Sequence, residues 1–309
     1  MSILRKIMQK AWDGAKQSDM ERIAKQPSVP GVRMECCIPY AADLHAMHQL
    51  NLYYPEKHCA EEKLPVIIDI HGGGLMYGDK ELNQRYCEYL ASQGFCVMGM
   101  SYRLLPETDL QGMIQDVFES IHWLERHGAK RGFDFENVFL TGDSAGGHLS
   151  SLVMCIQRSD KLQQIFGVKP FFFDFKAVAI SNGVCEIHNY FSYPEALNQR
   201  IDRELQSMIL GKAGKAAAWS AHFNFSQVLA EVGNLPPVLV IGAENDPFYH
   251  HTLQLIENLE KRGYVPEKWI WKKEDGLHLN HVFHIAHWEW AESRETNDKM
   301  MDFFRGHVE

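Results

Sequence analysis

Several features are missing from this 309-residue sequence, and each absence narrows its role. No apolar run approaches the ~18 residues that a membrane-crossing helix needs, so no integral membrane association is expected. Positive charge is in deficit, with 31 Lys+Arg against 40 Asp+Glu, and the net charge of −9 argues against a nucleic-acid partner or an anionic-membrane surface. The opening segment MSILRKIMQKAWDG mixes apolar residues with Lys and Gln and lacks the continuous apolar core of a secretory signal. The seven cysteines (Cys36, Cys37, Cys59, Cys87, Cys96, Cys155 and Cys185) are odd in number and lack metal-ligand spacing. Cys36 and Cys37 are adjacent and would bond each other only under strain, while several others sit in apolar stretches and pack as small hydrophobes. Internal repeats, low-complexity segments, a lysine-bearing P-loop, a G-x-G-x-x-G fingerprint and an H-E-x-x-H pair are all absent. The expectation is a reduced, cytoplasmic protein without a cofactor.

What is present is an alternation. Residues 1–27 read as one or two amphipathic helices, closed by QPSVPG, and two strands joined by a turn near Ala42-Asp43 follow. The runs LPVIIDI (64–70), GFCVMGMSY (94–102), NVFLTG, AVAISNG (177–183), PPVLVIGA (236–243) and EKWIWKK (267–273) have the apolar character of buried strands. Helical patterns near 80–93, 108–129, 145–158, 248–262 and 283–305 lie between and after them. Strands alternating with helices imply right-handed βαβ units, hence an α/β fold with a mostly parallel central sheet flanked by helices. Two segments break the rhythm. Residues 185–234 are too many for a bare loop and read as a helical insertion, which with residues 1–30 would form a cap within one domain spanning 1–309.

Chemistry concentrates at VFLTGDSAGGHLSSLVMC (138–155). Ser144 stands in G-x-S-x-G on a strand-to-helix corner, where the sharp turn leaves no room for side chains two positions either side. A serine hydroxyl becomes a nucleophile only with a base to take its proton and donors to hold the oxyanion. Gly72-Gly73-Gly74, directly after the first buried strand, can turn backbone N–H groups into a cavity, and the N–H of Ala145 at the helix start is a third donor. An acid should follow the serine and a histidine should come last. Asp246, just past an apolar strand, is the leading acid, with Glu244 and Asp275 nearby. The loop KKEDGLHLNHVFHIAHWEW supplies His278, His281, His284 and His287 as bases.

In order along the chain, His71-Gly72-Gly73-Gly74, Tyr102-Arg103-Leu104-Leu105-Pro106-Glu107, Gly142-Asp143-Ser144-Ala145-Gly146-Gly147 and Leu235-Pro236-Pro237 before Asp246-Pro247 resemble the hormone-sensitive-lipase-like carboxylesterases of the α/β-hydrolase superfamily. The resemblance runs from about residue 48 to 300. It implies a capped serine esterase, with a small-molecule ester of short to medium acyl chain as substrate. It implies Gly73, Gly74 and Ala145 as the oxyanion hole, and Ser144, Asp246 and His281 as the triad. Here His281-Val282-Phe283 matches the family's His-x-Phe, with His278 as the rival base. Leu105 stands where relatives usually carry Ala. The YRLLPE stretch is expected to support the site.

Four histidines in one stretch also raise metal binding, but their spacing cannot aim all four at one ion and no second Cys/His cluster exists, so no metal is expected. Leu75 and Met76, next to the oxyanion glycines, are the expected pocket residues. Phe171-Phe172-Phe173 cover a sheet edge or wall the acyl group, and Tyr190, Phe191 and Tyr193 face the pocket or pack the cap. An amidase such as an arylformamidase would use the same triad, although Leu75 departs from the HGGxW of such enzymes. A binding protein of the same fold that has lost the base is the remaining alternative. The sequence is silent on oligomeric state and leaves a homodimer open.

Overall fold

A computed structural model describes residues 3–190, 196–212 and 214–308. Eight strands form one sheet: β1 (Val32–Pro39), β2 (Gln49–Pro55), β3 (Leu64–Ile70), β4 (Cys96–Met100), β5 (Phe133–Asp143), β6 (Phe175–Ser181), β7 (Val238–Ala243) and β8 (Glu267–Trp271). Their order is β1-β2-β4-β3-β5-β6-β7-β8. β1 and β2 pair antiparallel, as does β2 with β4, and every pairing from β4 through β3 to β8 is parallel. The expected α/β-hydrolase architecture is the observed one.

Buried parallel strands need apolar side chains on both faces, and the sequence supplies them. Val66, Ile68 and Ile70 of β3 face one core with Val138 and Leu140 of β5, while Ile67 and Phe139 face the other. The first core is closed by α3 (Leu110–His127), α4 (Ala145–Ile156), α5 (Asp160–Phe166) and α8 (Tyr249–Lys261), through Met113, Val117, Leu149, Leu152, Leu162 and Leu255. The second is closed by α2 (Gln84–Ser92) and α10 (Ala291–Arg305), through Tyr86, Leu90, Met300 and Phe304. Fully burying one such aliphatic or aromatic side chain contributes about 1.5–3 kcal/mol, so the sheet is a rigid platform for whatever its ends carry.

The N-terminal segment is a single helix, α1 (Ile3–Lys25). The 185–234 segment contains α6 (Ala196–Ile209) and α7 (Phe225–Leu229) with short 3₁₀ turns. Arg5 ties the two together, its guanidinium pairing with Glu204 and lying 3.5 Å from Ser207 Oγ.

One expected element is divided. The run 283–305 is not one helix but α9 (Phe283–Ala286) and α10, separated where the His287 and Trp290 rings stack at 4.1 Å. Trp290 N–H bonds to His287 rather than continuing the helix, and the Ala286 carbonyl instead accepts from Arg22 Nη1 (2.5 Å) and Gln26 Nε2 (2.7 Å) of α1 and its exit. The break therefore anchors the N-terminal helix.

The winding reverses at β3, which has β4 on one side and β5 on the other. Crevices at the carboxyl ends of strands open at such a switch point. The glycine loop follows β3 there, and the Ser144 corner follows β5.

Candidate active site

At the end of β5 the chain must turn from strand to helix within one residue. Ser144 takes that turn with φ 50° and ψ −115°, a conformation that L side chains rarely adopt. The surroundings hold it: Ser144 N–H donates to Ser181 O (3.0 Å), and Ser144 O accepts from Val184 N–H (3.0 Å) and His148 N–H (3.1 Å). The flanking glycines are forced by contact. A Cβ on Gly142 would lie 2.4 Å from Ser150 Oγ, and one on Gly146 would lie 1.9 Å from Ile70 O, so α4 can pack against the ends of β5 and β3 only without those side chains.

Asp246 follows β7. Its Oδ1 accepts from Phe248 N–H (2.7 Å), and its Oδ2 accepts from Asn182 Nδ2 (2.7 Å) and faces His281 Nδ1 at 2.9 Å. Burial by itself pushes this carboxyl up. The His281 hydrogen bond and charge, with the Phe248 and Asn182 donors, outweigh it and hold Asp246 below the usual carboxylate range. On the other side of the ring, His281 Nε2 lies 2.9 Å from Ser144 Oγ. The next residue, Val282, sits at φ 50°, a strained conformation for a β-branched side chain, where the chain enters α9. Of the rival bases, His278 packs edge-on against Trp290 and lies 3.8 Å from Glu292, and His284 is buried on Asn297. His287 stacks on Trp290. Of the rival acids, Glu244 pairs with Lys272 and Asp275 caps a turn at Lys272 N–H.

The loop after β3 folds around His71. Its ring stacks on Tyr102 at 4.4 Å and its Nδ1 lies 2.7 Å from Gly72 O, and burial pushes its pKa down to about 4, so the ring is neutral at ordinary pH. Tyr102 O–H donates to His71 O (2.8 Å) and Leu105 N–H to Leu75 O (2.8 Å), so the YRLLPE stretch buttresses this loop. Gly72 N–H donates to Asp143 Oδ1 (3.0 Å), locking the loop to the residue before Ser144. Gly73 and Gly74 have φ of +103° and +61°, which glycine adopts readily.

Ser144, His281, Gly73 and Gly74 line one cavity of about 110 Å³. Ala145 is buried at the first position of α4 beside it. Sequence reasoning assigned residues 1–30 to a cap but named none of its pocket residues; α1 lines this cavity with Trp12, Asp19 and Arg22. The Trp12 ring lies over Gly74, where an added Cβ would meet it at 2.5 Å. Trp12, Asp19, Arg22 and Gln26 recur at intervals that keep one helix face, a pattern available in the sequence. Tyr190 and Phe248 also line the cavity, while Phe191 and Tyr193 lie outside the described residues.

Leu75 and Met76 are corrected: they are not among the described residues lining this cavity. Leu75 takes φ +63°, and both side chains turn into the main core at 2% and 6% exposure. The three phenylalanines belong to the opposite end of the sheet, where Phe171 stacks on Phe118 and Phe173 on Phe135. Among the described residues no group of three or more His, Cys, Asp or Glu could hold a metal ion, and no helix is long and apolar enough to cross a membrane.

A corner of this kind, at the switch point of such a sheet, defines a class of protein, and comparison with known proteins agrees. Residues 67–280 match a family model described as alpha/beta hydrolase fold, and the chain belongs to that family. It is 42% identical to esterase B from Lactobacillus rhamnosis, covering 99% of this chain and 96% of that one with a TM-score of 0.93. It is 27% identical over 280 residues to probable carboxylesterase 7 of Arabidopsis thaliana, covering 82% of each chain. A third relative, esterase LipI of Mycobacterium tuberculosis, is 29% identical over 104 residues, and the match spans 32% of its length. The chain is an esterase of the α/β-hydrolase type.

Proposed function

We propose that the chain cleaves carboxylic esters of short to medium acyl chain by a Ser-His-Asp mechanism with an acyl-enzyme intermediate. The observation that carries this reading is His281, whose Nε2 is 2.9 Å from Ser144 Oγ and whose Nδ1 is 2.9 Å from a buried carboxylate. Ser144 Oγ attacks the ester carbonyl carbon as its proton passes to His281 Nε2. Asp246, held ionised by its donors, fixes the Nδ1–H tautomer and stabilises the imidazolium. The N–H groups of Gly73, Gly74 and Ala145 receive the oxyanion, with the N-terminus of α4 adding its dipole. Collapse returns the proton from Nε2 to the leaving alkoxide. Water then attacks the acyl-enzyme, giving its proton to the same nitrogen, and the acid is released. We read α1 with the 185–234 segment as a cap over this site within one domain. The chain-length range is supported by the modest cavity and by the 42% identical relative, whose structures include complexes with a C6-C4 SN3 inhibitor and, at 41% identity, a C4-C4 SN3 tributyrin phosphonate.

Turnover of p-nitrophenyl butyrate by wild type and Ser144→Ala tests the reading, together with labelling by a fluorophosphonate. Turnover and labelling that both vanish in a folded Ser144→Ala support it. Undiminished turnover in that variant refutes it. A matched amide hydrolysed faster than the ester would move the assignment to an amidase.

A further inference from the structure

Beyond the roof of the catalytic cavity lies a second hollow of about 260 Å³ between α1 and residues 77–82. Its lining is mostly apolar, with Met20, Ile23, Ala24, Leu82 and the Tyr77 ring, and charged residues, Asp19 among them, share it. Met20 is 60% exposed there, one of two large apolar side chains, with Ile7, that α1 leaves open to solvent. Asp19, Tyr77 and Leu82 line both hollows. They form a common wall whose polar closure is the hydrogen bond from Tyr77 O–H to Asp19 Oδ2 at 2.8 Å. Trp12 stacks on the Tyr77 ring at 5.6 Å, and Arg22 holds Asp19 Oδ1 at 3.0 Å, so the wall is braced from within α1.

The inner hollow is small. An apolar cavity of about 150 Å³ holds one benzene, so 110 Å³ accommodates fewer than six carbon atoms beside the reacting ester. A longer alkyl chain outgrows this space, and one route for it runs through the wall toward the hollow beyond.

We infer that the Tyr77–Asp19 hydrogen bond is the partition that limits how long an alkyl chain the esterase accepts, and that the groove beyond it is a second subsite for the distal carbons of that chain. The inference rests on the esterase reading above. Tyr77 and Asp19 set chain-length specificity: they meet the substrate chain and not the reacting atoms. Opening the wall joins the two hollows, and adding charge to the outer one closes it to hydrocarbon.

The test measures kcat/KM for two series, p-nitrophenyl esters from acetate to laurate and acetate esters of n-alkanols from ethanol to dodecanol. The first carries the chain on the acyl side and the second on the alcohol side. Wild type, Tyr77→Phe, Asp19→Ala and Met20→Glu are compared, each normalised by fluorophosphonate titration of active sites. In at least one series, wild type is expected to fall off beyond about six carbons. There the eight-to-four-carbon ratio should rise about tenfold or more in Tyr77→Phe and Asp19→Ala and fall by a similar factor in Met20→Glu, in line with the discrimination that apolar pockets achieve per carbon. Met20 is on the surface, so that variant remains informative if the others fold poorly. Ratios unchanged in both series, equal losses at every chain length, or a wild-type optimum at eight carbons or longer overturn the partition while leaving the esterase intact. Wild type that neither labels nor hydrolyses any ester overturns both.

Discussion

Asp246 Oδ2 and His281 Nδ1 lie 2.9 Å apart, and the same oxygen takes the Asn182 amide at 2.7 Å, so the carboxylate is oriented from two sides. Asp246→Asn keeps the size and loses the charge. Its amide N–H aimed at Nδ1 would favour the wrong imidazole tautomer, with the proton on Nε2 facing Ser144. Turnover of p-nitrophenyl butyrate should fall about a thousand- to ten-thousandfold in kcat with KM little changed. A loss below about tenfold would mean that Asp246 is not the residue that orients the base.

The two histidines nearest in sequence separate cleanly by environment. His278 packs against Trp290 over Gly276, where a Cβ would meet its ring at 2.7 Å, and it makes no bond to Ser144 or Asp246. His281→Ala should remove turnover by about four orders of magnitude or more, whereas His278→Ala should leave it within about threefold of wild type. The reverse pattern in parallel assays would move the base by three residues.

Gly74 carries two constraints at once: φ of +61° and the Trp12 ring where its Cβ would be. Gly74→Ala should lower kcat/KM by about ten- to a hundredfold, combining backbone strain of roughly 1–2 kcal/mol with displacement of the tryptophan. Trp12→Leu with Gly74→Ala should recover part of that loss, because the clash is removed while the strain stays. A double-mutant cycle with no coupling would show that Trp12 does not press on the glycine loop.

How far the sequence carried depended on the range of each constraint. β3 was legible from LPVIIDI because a strand buried on both faces is apolar throughout, and the Ser144 corner was legible because its glycines answer to contacts within a few residues. The choice between His278 and His281 hung on local backbone, the left-handed turn at Val282 and the Trp290 ring, which apolar periodicity does not encode. The same blindness hid the break at 287–290 and the left-handed Leu75, which turned two expected pocket residues into the core. The Trp12 contact with Gly74 joins residues about sixty apart, and only the path of α1 over the finished sheet brings them together.

Behind the glycine loop, one amide holds two carboxyls: Asn83 Nδ2 donates to Asp143 Oδ1 at 2.7 Å and to Asp69 Oδ2 at 3.0 Å. Burial, then the charge of Asp143, pushes Asp69 up to about 8, against the opposing hydrogen bonds of Asn83 and Cys87. Burial also pushes Asp143 up to about 6. A carboxyl whose folded pKa is raised binds protons more tightly folded than unfolded, so it favours the folded state most below the unfolded value near 4 and progressively less as pH rises to the folded value. For Asp69 that window runs from about pH 4 to about pH 8. Asp69→Asn keeps an oxygen for Asn83 and removes the titration. Its melting temperature relative to wild type should therefore climb across that window, by roughly 1.5 °C for each kcal/mol of linkage in a chain of this length. A smaller slope below about pH 6 should persist in the variant, because Asp143 still titrates. Thermal melts of both proteins from pH 4 to 9 provide the check. Parallel curves would mean that Asp69 is ionised throughout and that the Asn83 bridge joins two charges.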